Sequence, residues 1–227
     1  MLFFFLHNCK PLLMLFVLLA LCSCEKENYK ASETPTPGAS FVEEFDLVQD
    51  AIKKGWIMTN NSSPIGAATW FQGVTAVFSA PFSTLDGTSY IAANFNSTAQ
   101  LGGTISNWLI SPSIKVKGGD VIEFWTRNPS NVRADRLQVR LNAFNDTYDV
   151  GNTATTFGNF SIIMLDINAD YGISYPSEWT KYTVTIPGIA APGKRRFAFR
   201  YFVENAGLAG LRSNFIGIDR VEFISKQ

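Results

Sequence analysis

Arg136-Leu137-Gln138-Val139-Arg140-Leu141 alternates polar and aliphatic side chains residue by residue. Neighbouring side chains of an extended strand point to opposite faces, so this pattern describes a strand with one face in a core. Outward from it, Lys181-Tyr182-Thr183-Val184-Thr185-Ile186 and Arg196-Phe197-Ala198-Phe199-Arg200-Tyr201 repeat the period of two. Further apolar or alternating runs occur at Phe41–Phe45, Gly55–Thr59, Tyr90–Phe95, Val121–Thr126, Phe160–Ile167 and Phe215–Ile224. Between them stand turn-forming clusters such as Asn60-Asn61-Ser62-Ser63-Pro64, Lys117-Gly118-Gly119-Asp120 and Ile186-Pro187-Gly188. Only Asp46–Lys54 reads as a short helix. Many short strands without intervening helices predict an all-β chain, a β-sandwich of jelly-roll type, and no repeat at solenoid or propeller periods occurs.

The first forty residues differ. An apolar run from Leu12 to Ser23 follows Lys10 and is far shorter than the ~20 residues a spanning helix needs, so it reads as a signal peptide over residues 1–23. It closes on Leu21-Cys22-Ser23-Cys24, a bacterial lipoprotein signal with Cys24 as the acylated residue; the alternatives are an ordinary secretory signal or an apolar leader without acylation. Residues 24–40 are charged, then rich in Pro, Thr, Ser and Gly, the composition of a flexible tether. The charged stretch behind Cys24 is similar to export signals of Bacteroidetes surface lipoproteins; a solvated spacer under a periplasmic domain explains it equally. The expected location is the bacterial outer membrane, at its surface or periplasmic face, with residues 41–227 as one folded domain.

Cleavage before Cys24 has a chemical consequence. The sole histidine, His7, and two of the three cysteines, Cys9 and Cys22, lie upstream. The mature chain then has no means of building a Ser-His-Asp or Cys-His triad and lacks the commonest zinc ligands. With 19 basic and 19 acidic residues there is no electrostatic footprint for nucleic acid. The cluster Lys194-Arg195-Arg196 opens a strand and reads as its solvated end.

Several ordered blocks carry a resemblance. Gly55-Trp56 followed by Asn60–Pro64, Trp70-Phe71-Gln72-Gly73, Ser89–Phe95, Asn107-Trp108-Leu109-Ile110-Ser111-Pro112, Phe124-Trp125-Thr126-Arg127, Asp135–Arg140, Phe199–Val203 and Ile216-Gly217-Ile218-Asp219 resemble the choice-of-anchor J domain. The resemblance covers Phe41 to Ile224. It implies a jelly roll related to cleaved-adhesin and MAM domains, displayed at bacterial surfaces, with no attached enzymatic activity. Family members close in these blocks typically carry a C-terminal sorting helix. Here Lys226-Gln227 follow soon after the last strand run, and Cys24 is the expected anchor.

Three candidate sites of two kinds are expected. Calcium takes hard oxygen ligands, and in the related sandwiches a first-strand carboxylate and one in the last strand's Ile-Asp motif can share a cation. The matching residues are Asp46 and Asp219, with Glu44 and Asp86 as helpers. Alternation over Phe215-Gly217-Asp219-Val221-Phe223 turns Asp219 to the apolar face, where a carboxylate needs a cation or another partner such as an arginine. A second calcium candidate is the loop of Asp166, Asn168 and Asp170, with an ordinary Asx-rich turn as the alternative. For ligands, Trp70 and Phe71 are candidate rings for stacking on a sugar, with Asn60 and Gln72 to bind its hydroxyls. Trp56, Trp125, Tyr175 and Trp179 also neighbour loops, whereas Trp108 and Trp125 read as core anchors.

The resulting expectation is a lipid-anchored, noncatalytic extracytoplasmic binding or adhesion module with a glycan or protein as partner and structural calcium as the candidate cofactor. A hydrolase working through two carboxylates among Glu43, Glu44, Asp46, Glu123, Glu178 and Glu204, or an architectural envelope protein, are the alternatives.

Overall fold

The computed structural model describes residues 39–82, 87–99, 101–172 and 174–226. Cys24, the signal peptide, residues 24–38 of the tether, and Asp86 lie outside the described residues. Twelve strands follow in chain order: β1 (Phe41–Glu43), β2 (Ile57–Asn60), β3 (Phe71–Gln72), β4 (Ile91–Asn94), β5 (Gly103–Ile110), β6 (Ile114–Val116), β7 (Val121–Arg127), β8 (Leu137–Asn142), β9 (Ile162–Ile167), β10 (Thr180–Thr185), β11 (Gly193–Ala206) and β12 (Phe215–Ile224). The helix expected over Asp46–Lys54 forms as α1 (Val48–Lys53), burying Val48 and Ala51.

Two antiparallel sheets make a jelly-roll sandwich. The first runs β10-β7-β12-β4-β3, with β1 also on β12; the second runs β2-β5-β11-β8-β9, with β6 also on β11. Alternation decides what each strand buries. Leu137, Val139 and Leu141 of β8 face the same core as Phe197, Phe199 and Tyr201 of β11, opposite Ile122, Phe124, Ile218 and Phe223 of the first sheet. Phe124 and Phe199 meet edge to face across the sheets, with ring centroids 4.9 Å apart, an arrangement favoured by the aromatic quadrupole. The large side chains at this contact, Phe124, Phe197, Phe199 and Phe223, are fully buried. Burial of such rings supplies on the order of 1.5–3 kcal/mol each.

The outer faces are also covered. On the second sheet, Trp108, Ile110 and Ala198 receive Val150 and Phe160 from the segment between β8 and β9. On the first, Tyr90, Ala92 and Phe215 receive Phe78 from the segment between β3 and β4. All three core clusters are therefore made within residues 45–223, and β1 pairs with β12 beside the point where the chain leaves the sheet.

One strand departs from its sequence pattern. Between Asp219 and Glu222 the pairing of β12 with β7 shifts register, and Arg220 has φ of 45°, as a bulge requires. Ile216 and Ile218 point into the main core before the bulge, and Val221 and Phe223 do so after it. Asp219 therefore shares the outer face with Phe215, not the face of Val221 and Phe223, which corrects the uninterrupted alternation expected from sequence.

Candidate functional site

The carboxylates around β1 and β12 come first. Glu43 is buried and its Oε1 accepts from the Phe45 amide at 3.2 Å, while Lys54 Nζ lies 3.2 Å from Oε2. Burial raises the Glu43 pKa and the Lys54 ammonium opposes it. Glu44 accepts from Arg220 Nη1 through Oε1, but its Oε2 is buried without a partner. Asp219 is 0% exposed; Oδ1 accepts from the Arg220 amide at 2.7 Å and Oδ2 has no partner. Burial pushes its carboxyl up to about 8, reinforced by the negative charges of Glu44 and Asp46. Orphaned oxygens on buried acids are costly, and a hard cation is one kind of partner that relieves such an oxygen. Among the described residues no three acidic, histidine or cysteine side chains converge at metal-binding distance. The fit consequently rests on Glu44 and Asp219, with Asp46 acting through its charge.

The alternative calcium loop is not assembled. Asp166 is gripped by Arg136, whose Nε and Nη2 donate at 2.8 and 2.7 Å, and Gln138 Nε2 adds a bond of 2.9 Å. With both oxygens engaged by donors, Asp166 is held as a guanidinium partner. Asn168 donates to the Asp135 carbonyl at 2.7 Å, and Asp170 accepts the Gly172 amide in an Asx turn.

The four ligand-binding expectations fall on internal clasps. Trp70 is only 2% exposed and belongs to the core, so it offers no ring face to solvent. Phe71 packs edge-on against Phe215 at 5.8 Å. Gln72 Nε2 donates to the carbonyls of Phe45 and Thr88, and its Oε1 accepts from the Val48 amide, tying α1 to β3. Asn60 Nδ2 donates to the Ala68 and Ser97 carbonyls and its Oδ1 accepts from the Ser62 amide. Asn60 thus folds the 61–68 loop and has no donor left for a sugar.

A different surface is open. Thr59, Thr147, Tyr148, Asp149, Val150 and Gly151 line a cleft of about 520 Å³ at the β2 edge of the second sheet. Thr59 pairs with Trp108 and shares its outer face. Val150 anchors the opposite wall on Trp108 and Ile110. The wall is built from turns: Asn142 Oδ1 accepts from the Phe144 and Asn145 amides, Asn145 Oδ1 from Thr147, and Asp149 Oδ1 from the Gly151 amide at 2.8 Å. Asn61 Nδ2 donates to the Gly151 carbonyl at 2.7 Å, closing the cleft against the neighbouring loop. Gly158 has φ of +50°, and a Cβ there would lie 2.3 Å from the Asp149 carbonyl oxygen, so only glycine permits this closure. Tyr148 is 59% exposed at the rim.

Beneath the same segment, Trp108, Arg200, Gln138 and Asp166 stand side by side in register across β5, β11, β8 and β9. Arg200 donates Nε to Ser106 Oγ at 3.0 Å and Nη2 to the Ala154 and Thr156 carbonyls. Its guanidinium also covers the Trp108 ring at 4.8 Å. Arg140 Nε holds the Phe160 carbonyl at 3.0 Å. Two buried arginines therefore clasp the backbone that follows the cleft wall in the chain.

No family model matches the chain, and no curated protein does. Solved structures do match. The K1 cleaved adhesin domain of Lys-gingipain from Porphyromonas gingivalis W83 aligns over 83% of this chain and 99% of that one, with 19% identity and a TM-score of 0.51. The sandwich is similar to a cleaved adhesin domain. The K3 cleaved adhesin domain of the same protein aligns over 82% of this chain and 100% of that one, with 16% identity and a TM-score of 0.50. At these identities the likeness to the cleaved adhesin domains is one of fold.

Proposed function

We propose that the chain is a noncatalytic extracytoplasmic binding or adhesion module of choice-of-anchor J type, lipid-anchored through Cys24 at the outer membrane, which binds a glycan in the Tyr148 cleft. The observation that carries this reading is an exposed phenol ring at the rim of a cleft whose polar wall is fixed before any ligand arrives. The ring stacks on the apolar face of a sugar, and Thr59, Thr147 and Asp149 serve its hydroxyls. The fold shared with cleaved adhesin domains is consistent with adhesion. In this reading a structural calcium ion relieves the orphaned oxygens of Glu44 and Asp219.

A glycan array followed by titration of the best glycan tests it. Saturable binding weakened about tenfold by Tyr148→Ala, at an unchanged melting temperature, is the expected result. Absence of glycan binding, binding unaltered by Tyr148→Ala, or hydrolysis of the bound glycan would overturn the reading.

A further inference from the structure

The end of the sandwich away from Phe41 carries an unusual surface. Ile65, Leu101, Val132, Leu208 and Leu211 are 66%, 94%, 88%, 52% and 77% exposed. They come from four loops that touch one another. The Ala99 amide donates to the Pro64 carbonyl at 3.2 Å. Arg133 Nη1 donates to the Gly207 and Leu208 carbonyls at 3.2 and 3.0 Å. Gly207 approaches so closely that a Cβ would lie 2.9 Å from the Ala99 carbonyl oxygen. Strand register places all four loops at this end: Ala206 pairs with Gly103, Phe215 with Asn94, and Arg127 with Gly217, whereas Phe41 pairs with Phe223 at the other end of β12.

The loops themselves carry charge of one sign. Residues 62–68, 99–102, 129–134 and 207–212 contain Arg133 and Arg212 and no acidic residue. Among the described residues neither arginine forms an ion pair. Of the carboxylates adjoining these loops in the chain, Asp135 is wholly buried, whereas Glu204 is exposed and accepts the Tyr171 phenol at 3.4 Å, beside the ring that Arg212 covers at 3.9 Å.

We propose that this end of the molecule is a lipid-docking tip. Its aliphatic side chains enter the interface of an anionic bilayer while Arg133 and Arg212 meet the headgroups. Three arguments select that occupant. The aliphatic residues are separate knobs set among Gly66, Gly102, Gly207, Ala209 and Gly210; a fluid interface admits them without a matching surface, whereas a rigid protein must offer a socket for each. A second copy would bring guanidinium against guanidinium. The chain enters the domain at the opposite end, which leaves the tip free to meet a bilayer. Five large aliphatic side chains exposed on adjoining loops mark this end as an interaction surface, and nothing in the glycan reading depends on it.

The segment 32–227, which holds the core clusters of the described residues, is suited to the test once its cooperative melt is verified. It is sedimented with vesicles of phosphatidylcholine alone or mixed with phosphatidylglycerol. Binding to the mixed vesicles is expected, with Leu101→Ser plus Leu211→Ser reducing it about tenfold or more without moving the melt, and Arg212→Gln weakening the preference for phosphatidylglycerol. If the double variant fails to fold, Val132→Ser is read instead. No sedimentation with either vesicle, or binding that ignores the aliphatic substitutions, overturns the proposal. Self-association abolished by those same substitutions overturns it in favour of a second copy, and capture of a protein at the tip with no vesicle binding assigns it to a protein partner.

Discussion

Tyr201 donates its phenol to Asp135 Oδ1 across 2.6 Å, with both residues fully buried. The same carboxylate accepts the Asn214 amide at 2.8 Å and Asn128 Nδ2 at 3.1 Å. A core-facing side chain of β11 thereby holds the starts and ends of the loops at the tip. Burial raises the Asp135 pKa to about 6 against the opposing pull of these donors.

Tyr201→Phe removes one donor and should lower stability by about 1.5–3 kcal/mol at pH 7.5, where Asp135 is ionised. At pH 5 the acid is protonated and the loss should be smaller. Chemical denaturation of both proteins at the two pH values checks it; an equal loss at both would mean that the bond acts only through packing.

Asp219 should make the cation-free protein less stable as pH rises. Its folded value of about 8 exceeds the ordinary 3.8, so its contribution is complete below pH about 4 and is lost as pH climbs through about 8, by at most about 1.4 kcal/mol per unit. Glu44, also raised by burial, acts in the same direction. Calcium at a hundred times its dissociation constant should restore about 2.7 kcal/mol at pH 8. Asp219→Asn should flatten the pH profile and abolish the calcium shift; thermal melts with calcium or with EGTA provide the readout.

Gly158→Ala places a side chain on a left-handed residue and into the Asp149 carbonyl. A stability loss of roughly 1–3 kcal/mol and loss of glycan binding are expected. Gly188 meets nothing within 4 Å, and Gly188→Ala should alter neither melt nor binding.

Arg200→Met should preserve the sheets and loosen the segment that follows the cleft wall. A methionine keeps much of the packing on Trp108 but releases the Ala154 and Thr156 carbonyls. Hydrogen exchange should quicken at residues 154–157 while β11 amides stay protected. Uniform acceleration across the second sheet would contradict the clasp.

Cys24→Ala should abolish acylation and release the protein from the membrane fraction of the cells that make it. Mass spectrometry of the processed N-terminus checks this directly. Continued acylation would move the modified residue elsewhere.

The strands with one polar and one apolar parity were legible in sequence. Arg136–Leu141 lies within one residue of β8, and Lys181–Ile186 within one of β10. β5 carried no such alternation because its outer and inner faces both hold polar groups: Asn107 is buried yet donates Nδ2 to Ser97 Oγ at 3.0 Å, and Ser106 Oγ accepts from Trp108 Nε1. The bulge at Asp219 was hidden for the opposite reason. Apolar residues occupy both parities of β12, so a switch of face at Arg220 leaves the pattern looking continuous.

The site was less legible. Gln72 and Asn60 have the chemistry of ligand contacts, and only tertiary structure shows their polar atoms spent on backbone groups. Asp166 resembled a metal ligand until β8 and β9 aligned it with Gln138 and brought Arg136 alongside. The cleft lies in a run of Asn, Asp, Thr and Gly with no periodicity. Its available cue was Tyr148, a lone ring between residues of turn-forming type.

The three register pairs between β1 and β12 also have a mechanical consequence. Phe41 lies at the end of the sandwich opposite the tip, and β1 runs from there toward the tip. Tension between residue 40 and a ligand held at the far end would act along the strand axis. Antiparallel ladder bonds lie across that axis, so the pull would shear all of the β1–β12 bonds together and could not peel them one by one. A short strand at the point of attachment can thus bear load because of the direction in which it is mounted.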